Sequence, residues 1–175
     1  SLPLYNILEG DGFITDRPGV VLCVKTADCV PVLLADGKKK VVAAIHAGWR
    51  GTALGITGKA VRIFRERFTS VPEDLWAAIG PAVGPCCYEV DDKVRREFKD
   101  HPEFDKLLKA AAKKGSWMLD LALANRLQLE TAGVPVDQIG AAGVCTSCRR
   151  DAFFSHRGDG ETTGRQLNFI MIRED

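Results

Sequence analysis

The sequence predicts a single α+β domain. Three observations lead there. Short apolar runs broken by turn residues fill the first third of the chain. Apolar residues at helical spacing take over after Gly51. Strands and helices then mix without the regular strand–helix–strand alternation of a parallel sheet. A length of 175 residues suits one domain with a sizeable core. No low-complexity linker, internal repeat or block of like charge divides it.

In order, residues 19–25 predict a strand. Two apolar runs, 30–35 and 41–45, are joined by Asp36-Gly37-Lys38-Lys39, which reads as a β-hairpin. After Arg50-Gly51 the period changes. Leu54, Val61, Phe64 and Phe68 share one helical face, with Lys59, Arg62, Arg65 and Glu66 facing away. Thr52 is the candidate N-cap, and Val71-Pro72 ends the unit. Residues 76–79 predict a short buried strand running into Gly80-Pro81-Ala82-Val83-Gly84-Pro85. Helices are predicted over 91–98, 102–113 and 120–131. Asp120 caps the last, and Gly133-Val134-Pro135 stops it. Short strands near 140–144, 152–155 and 167–172 close the chain.

Composition excludes several classes. The net charge of +1 gives no electrostatic pull toward nucleic acid or anionic membrane. No apolar run is long enough to span a bilayer, and no signal peptide is visible. The six cysteines are Cys23, Cys29, Cys86, Cys87, Cys145 and Cys148. In a chain with an adequate core they read as reduced thiols of a cytoplasmic protein. A monomer or weak homo-oligomer is expected.

Cys29 and His46 are the leading candidates for chemistry. They are equidistant from the hairpin midpoint between Gly37 and Lys38, so a regular hairpin sets them opposite each other on one face. Directly opposed Cβ atoms lie about 4.5–5.5 Å apart. At that separation a thiolate and an imidazole can share a metal ion or pass a proton. A one-residue bulge would separate them. The ordinary alternative is a buried thiol and a hydrogen-bonded histidine at the core edge.

Other motifs carry less. His46-Ala47-Gly48-Trp49-Arg50-Gly51 joins a strand end to a helix start, where Arg50 and backbone N–H groups suit a phosphate or Arg50 is simply solvated. Asp28 can orient His46, act as a base, or serve as a turn residue. Cys145-Thr146-Ser147-Cys148 has half a zinc-ribbon spacing, but adjacent Cys86-Cys87 supplies no matching second pair. These four read as structural or incidental thiols. His156 is either a third metal ligand or a surface residue. No Walker loop, dinucleotide fingerprint or Gly-x-Ser-x-Gly elbow is present.

Four motifs occur in order: Thr26-Ala27-Asp28-Cys29-Val30-Pro31-Val32; His46-Ala47-Gly48-Trp49-Arg50-Gly51; Ile79-Gly80-Pro81-Ala82-Val83-Gly84-Pro85-Cys86-Cys87-Tyr88-Glu89-Val90; and Cys145-Thr146 with Phe153-Phe154-Ser155. From about Gly12 to Ile172 they resemble the YfiH-like laccase-domain proteins. That group is also called the purine nucleoside phosphorylase or polyphenol oxidoreductase family. The resemblance implies an α+β fold whose mixed sheets pack between helical layers (α/β/β/α). It implies zinc-dependent phosphorolysis of purine nucleosides, inosine or adenosine, with phosphate as co-substrate and an adenosine deaminase side activity. It also implies a metal held by two histidines and a cysteine. The cysteine falls on Cys29 and the second histidine on His46. The first lies in an N-terminal segment ahead of Ser1 that this chain lacks; the third ligand is then either that absent histidine, the expected case, or another residue such as His156. Asp28 is then a proton-transfer or orienting residue and Arg50 the phosphate binder. The alternatives are a Cys29–His46 cysteine hydrolase or deamidase, a copper-dependent polyphenol oxidoreductase (laccase), and a non-catalytic purine-binding module.

Overall fold

The computed structural model describes residues 10–174. Its centre is a five-stranded sheet in the order β1-β4-β3-β5-β9. These strands are β1 (Gly12–Thr15), β3 (Val30–Asp36), β4 (Val41–Ala47), β5 (Leu75–Ile79) and β9 (Ile139–Ala141). The β1/β4, β4/β3 and β3/β5 pairs are antiparallel, and β5/β9 is parallel, so the sheet is mixed. A two-stranded ribbon pairs β2 (Leu22–Thr26) with β10 (Gln166–Ile170). A small third sheet holds β6 (Glu89–Asp91), β7 (Leu108–Ala110) and β8 (Ser116–Leu119). The fold is α+β, as the sequence predicts.

Strand β4 explains how the layers stack. Six of its seven residues are buried, and only His46 is partly open. A continuous apolar run of this kind marks a strand covered on both faces. One face joins Val30, Val32 and Leu34 to Val41, Ala43, Ile45 and Ala47. It packs on helices α2 (Ile56–Phe68) and α5 (Leu121–Thr131) through Val61, Phe64, Leu121 and Ala124. The other face lies under the β2–β10 ribbon. A Cβ on Gly80 would meet Pro31 Cγ at 2.7 Å and Asn168 Oδ1 at 3.6 Å, so sheet and ribbon approach closely there. The outer side of the ribbon exposes Leu167 and Phe169.

The hairpin register differs from the expected one by two residues. Pro31, not Cys29, stands opposite His46. The connection is a four-residue loop between Asp36 and Val41. Asp36 Oδ1 accepts from the Lys38 and Lys39 N–H groups at 2.9 Å each, and Lys40 takes a left-handed φ of 52°. A shift of two preserves face parity, so Cys29 and His46 stay on one side as diagonal neighbours. A shift of one would have parted them.

Helix boundaries also move. Thr52 caps nothing: it sits inside α1 (Trp49–Ala53), and Gly55 at φ 73° precedes α2. The predicted helix over 102–113 reduces to α4 (Phe104–Leu107), after which the chain enters β7. Residues 152–155 form no strand: the segment turns, and Ser155 caps α6 (His156–Asp159). Helix α3 (Asp92–Glu97) and α5 form as expected, with Asp91 and Asp120 accepting from the Val94 and Leu123 N–H groups. No helix among the described residues is long and apolar enough to cross a membrane.

Candidate active site

Cys29 enters β3 just after Asp28, whose φ is 88°. His46 stands near the end of β4. The thiol and the imidazole both face Gly48. Gly48 leaves the space between them: a Cβ there would lie 3.3 Å from Cys29 Sγ and 3.7 Å from His46 Cε1. Its φ of −73° is ordinary, so the requirement is for room rather than backbone freedom.

His46 is held from the other side by Asp11. The Asp11 carbonyl accepts the His46 backbone N–H at 2.7 Å, and Asp11 Oδ1 is 3.0 Å from Nδ1. Cys29 raises the His46 pKa most; burial opposes it and Asp11 adds to it, giving about 9. A carboxylate on one ring nitrogen, with a cysteine sulfur on the same side of the sheet, is the arrangement that orients an imidazole toward a metal.

Asp28 is placed differently from its expected role. Its buried carboxylate accepts from the Thr146 hydroxyl at 2.6 Å and from the Arg157 backbone N–H. Its carbonyl accepts the Val83 N–H at 3.0 Å. Asp28 therefore ties β3 to two distant loops, and the carboxylate that meets His46 is that of Asp11. Arg50 is exposed, with its guanidinium 4.3 Å from the Trp49 ring centroid. Helix α1 has only five residues, too short for a sizeable dipole at its start. His156 is exposed, its Nδ1 3.2 Å from the Gly160 carbonyl oxygen, and the structure does not bring it to Cys29 and His46.

Two further side chains bear on the site electrostatically. Tyr88 is partly buried; burial pushes its phenol up to about 12, with the Cys29 and Asp28 charges adding and Arg157 and Arg50 opposing. It is a neutral hydrogen-bond donor at ordinary pH. The Arg157 guanidinium lies 5.3 Å from the Tyr88 ring centroid and donates to the Glu89 carbonyl at 2.9 Å. Sequence reasoning missed Asp11, Tyr88 and Arg157 as site residues. Tyr88 stands inside a quoted motif and Arg157 beside His156, whereas nothing local marks Asp11.

Four cysteines that the sequence leaves as structural or incidental thiols, with no matching second pair, are brought together by the fold. Cys86, Cys87, Cys145 and Cys148 converge, their sulfur atoms all within 4.8 Å of one another. These four could hold a metal ion. Among the described residues, Cys29 and His46 belong to no group of three or more such ligands.

Cavity size does not single out the Cys29–His46 site. A hollow of about 750 Å³ lies by Thr52, His101, Gln128 and Glu130, away from it. A hollow of about 200 Å³ is lined by Asp11, Cys23, Lys25 and His46. The assignment rests on side-chain chemistry. The pattern of the multi-copper polyphenol oxidoreductase laccases matches residues 4–173. The chain belongs to that family.

Members resemble this chain closely. It is 47% identical over 166 residues to the purine nucleoside phosphorylase YlmD of Geobacillus stearothermophilus, covering 94% of this chain and 61% of the relative. An adenosine deaminase from an unknown prokaryotic organism is 39% identical over 165 residues, covering 93% and 63%. The crystal structure of the Bacillus licheniformis hypothetical protein YfiH superposes with a TM-score of 0.89 at 45% identity, covering 93% of this chain and 61% of that one. The chain thus spans about three fifths of the length of these relatives.

Proposed function

We propose that this family domain serves zinc-dependent phosphorolysis of purine nucleosides, inosine or adenosine, with adenosine deamination as a side activity. The observation that carries this reading is the placing of Cys29 Sγ and the His46 ring against Gly48, with Asp11 on the imidazole. Thiolate and imidazole are zinc donors, and the Asp11 carboxylate fixes the ring that would present one of them. The two supply two of the three protein ligands that a catalytic zinc takes. The ion, when bound with one position open, polarises a substrate oxygen or water.

The chain's own residues then divide the work. Arg50 attracts the phosphate dianion. The neutral Tyr88 phenol donates a hydrogen bond to substrate. Asp28 keeps β3 and the Thr146 loop in register, so that Cys29 stays beside His46. Purine nucleoside phosphorylase and adenosine deaminase are the activities named for relatives, and they support the choice of substrates. The family description names copper, to which the same donors bind; we assign zinc.

The test is phosphate-dependent release of hypoxanthine from inosine, with Cys29→Ala as control and bound metal measured in both proteins. Release and metal lost together in the variant support the proposal; full turnover in Cys29→Ala refutes it. Nucleoside binding without turnover by the unaltered chain would move the reading to a purine-binding module. The same placing favours one second reading, a cysteine hydrolase or deamidase using Cys29 as nucleophile and His46 as base. Iodoacetamide labelling of Cys29 that chelators leave unchanged would select it.

A further inference from the structure

Four cysteines from two distant parts of the sequence meet at one point on the surface. Cys86 and Cys87 lie in a turn where the Cys87 and Tyr88 N–H groups both donate to the Gly84 carbonyl at 3.0 Å. In an extended strand, adjacent side chains would point to opposite faces; in this turn both reach the same spot. Cys145 and Cys148 lie in a second turn, where the Arg149 N–H donates to the Cys145 carbonyl at 3.1 Å. Three residues apart in a helical turn, they share a face. Backbone bonds join the turns: Ala82 N–H to the Val144 carbonyl at 3.3 Å, and Thr146 N–H to the Ala82 carbonyl at 3.0 Å.

We propose that Cys86, Cys87, Cys145 and Cys148 bind one zinc ion as a closed structural site that clamps the two turns together. The spacing supports this. Zn–S bonds of about 2.3 Å at tetrahedral angles set sulfur atoms about 3.8 Å apart. Cys148 Sγ stands 3.5 Å from Cys86 Sγ and 3.4 Å from Cys87 Sγ, and all four sulfur atoms lie within 4.8 Å. All four are free thiols rather than two disulfide pairs, and one ion engages all four. The Gly84 N–H donates to Cys145 Sγ at 3.2 Å, the kind of outer bond that stabilises a metal-bound thiolate. Gly84 must stay small: a Cβ there would lie 3.2 Å from Cys145 Cβ and 3.4 Å from Cys86 Sγ. Four sulfur donors in a tetrahedron select zinc among the common divalent ions. Binding expels the thiol protons to solvent.

The site is independent of Cys29 and His46 but adjoins their supports. Tyr88 follows Cys87. Thr146 follows Cys145 and donates to Asp28. The clamp thus fixes the two segments that flank the candidate active site without taking part in its chemistry.

The experiment uses the Cys29→Ala/His46→Ala protein, purified under reducing conditions and supplied with zinc. Elemental analysis should find one zinc per chain, and X-ray absorption should find four sulfur neighbours at about 2.3 Å. Adding Cys145→Ser and Cys148→Ser should abolish that zinc. Should the quadruple variant fail to fold, the sulfur count in the folded double variant decides alone. No retained zinc, a shell containing nitrogen or oxygen, iron in its place, or a disulfide among the four under these conditions would overturn the proposal.

Discussion

His46 owes its orientation to Asp11, thirty-five positions earlier in the chain. The backbone bond from His46 to Asp11 brings the carboxylate to Nδ1, so the residue ahead of β1 sets the imidazole near the end of β4. Asp11→Ala should therefore weaken zinc binding at Cys29 and His46 by about 10–100-fold, as loss of an outer hydrogen bond to a ligating histidine does. The Asp11 side chain is 65% exposed, so thermal stability should stay close to the parent. Chelator competition beside a melting curve checks both; unchanged zinc affinity would remove Asp11 from the site. Cys29 and His46 were legible as a pair from apolar patterning alone. Asp11, Tyr88 and Arg157 were not, because their proximity depends on the sheet edge and on loops whose path no local pattern encodes.

Among the elements, α2 ends at Thr69, which caps it at φ 54°. A β-branched residue in the left-handed region is strained, and glycine adopts it freely. Thr69→Gly should raise stability by up to about 1 kcal/mol, read as a higher urea midpoint at unchanged slope. A second element-level effect is acid sensitivity at His101, between α3 and α4. Burial lowers its pKa below the ordinary 6.5, against the pull of Glu103. Its Nδ1 accepts the Glu103 backbone N–H at 3.1 Å, which requires that nitrogen to be unprotonated. The folded state thus resists the proton that the unfolded chain takes up. This contribution is intact above 6.5 and is lost as pH falls below that value. The melting temperature of His101→Gln should fall less steeply than the parent's from about pH 7 to about pH 5; equal slopes would show that His101 does not matter. Here too lies the main misreading of elements. Residues 102–113 have helical composition, but Leu108–Ala110 pairs with β8, and tertiary pairing overrides weak propensity.

For the whole molecule, one buried amide holds the helical layer together. Asn125 on α5 accepts from the Thr57 hydroxyl of α2 and donates to the Thr52 hydroxyl of α1 at 3.0 Å and to the Leu121 carbonyl at 2.9 Å. All of Asn125, Thr52 and Thr57 are buried. Asn125→Ala strands two hydroxyls out of water and should cost at least about 1–3 kcal/mol in urea unfolding. A smaller loss would mean that water replaces the amide. Sequence by itself determined the α+β class, the hairpin, the helices α3 and α5 with the Asp120 cap of the latter, and the same-face relation of Cys29 and His46. Each of these depends on local period, cap chemistry or face parity, which short windows of residues carry. Only the tertiary structure decided the hairpin register, since Asp36 stays in β3 opposite Val41 and the loop falls on residues 37–40 rather than on Asp36–Lys39. It alone placed Asp11 on His46, turned Asp28 toward Thr146 and Arg157, and gathered Cys86 and Cys87 with Cys145 and Cys148. Those arrangements join residues dozens of positions apart, and their geometry is fixed by the packing of loops on the sheet rather than by any spacing along the chain.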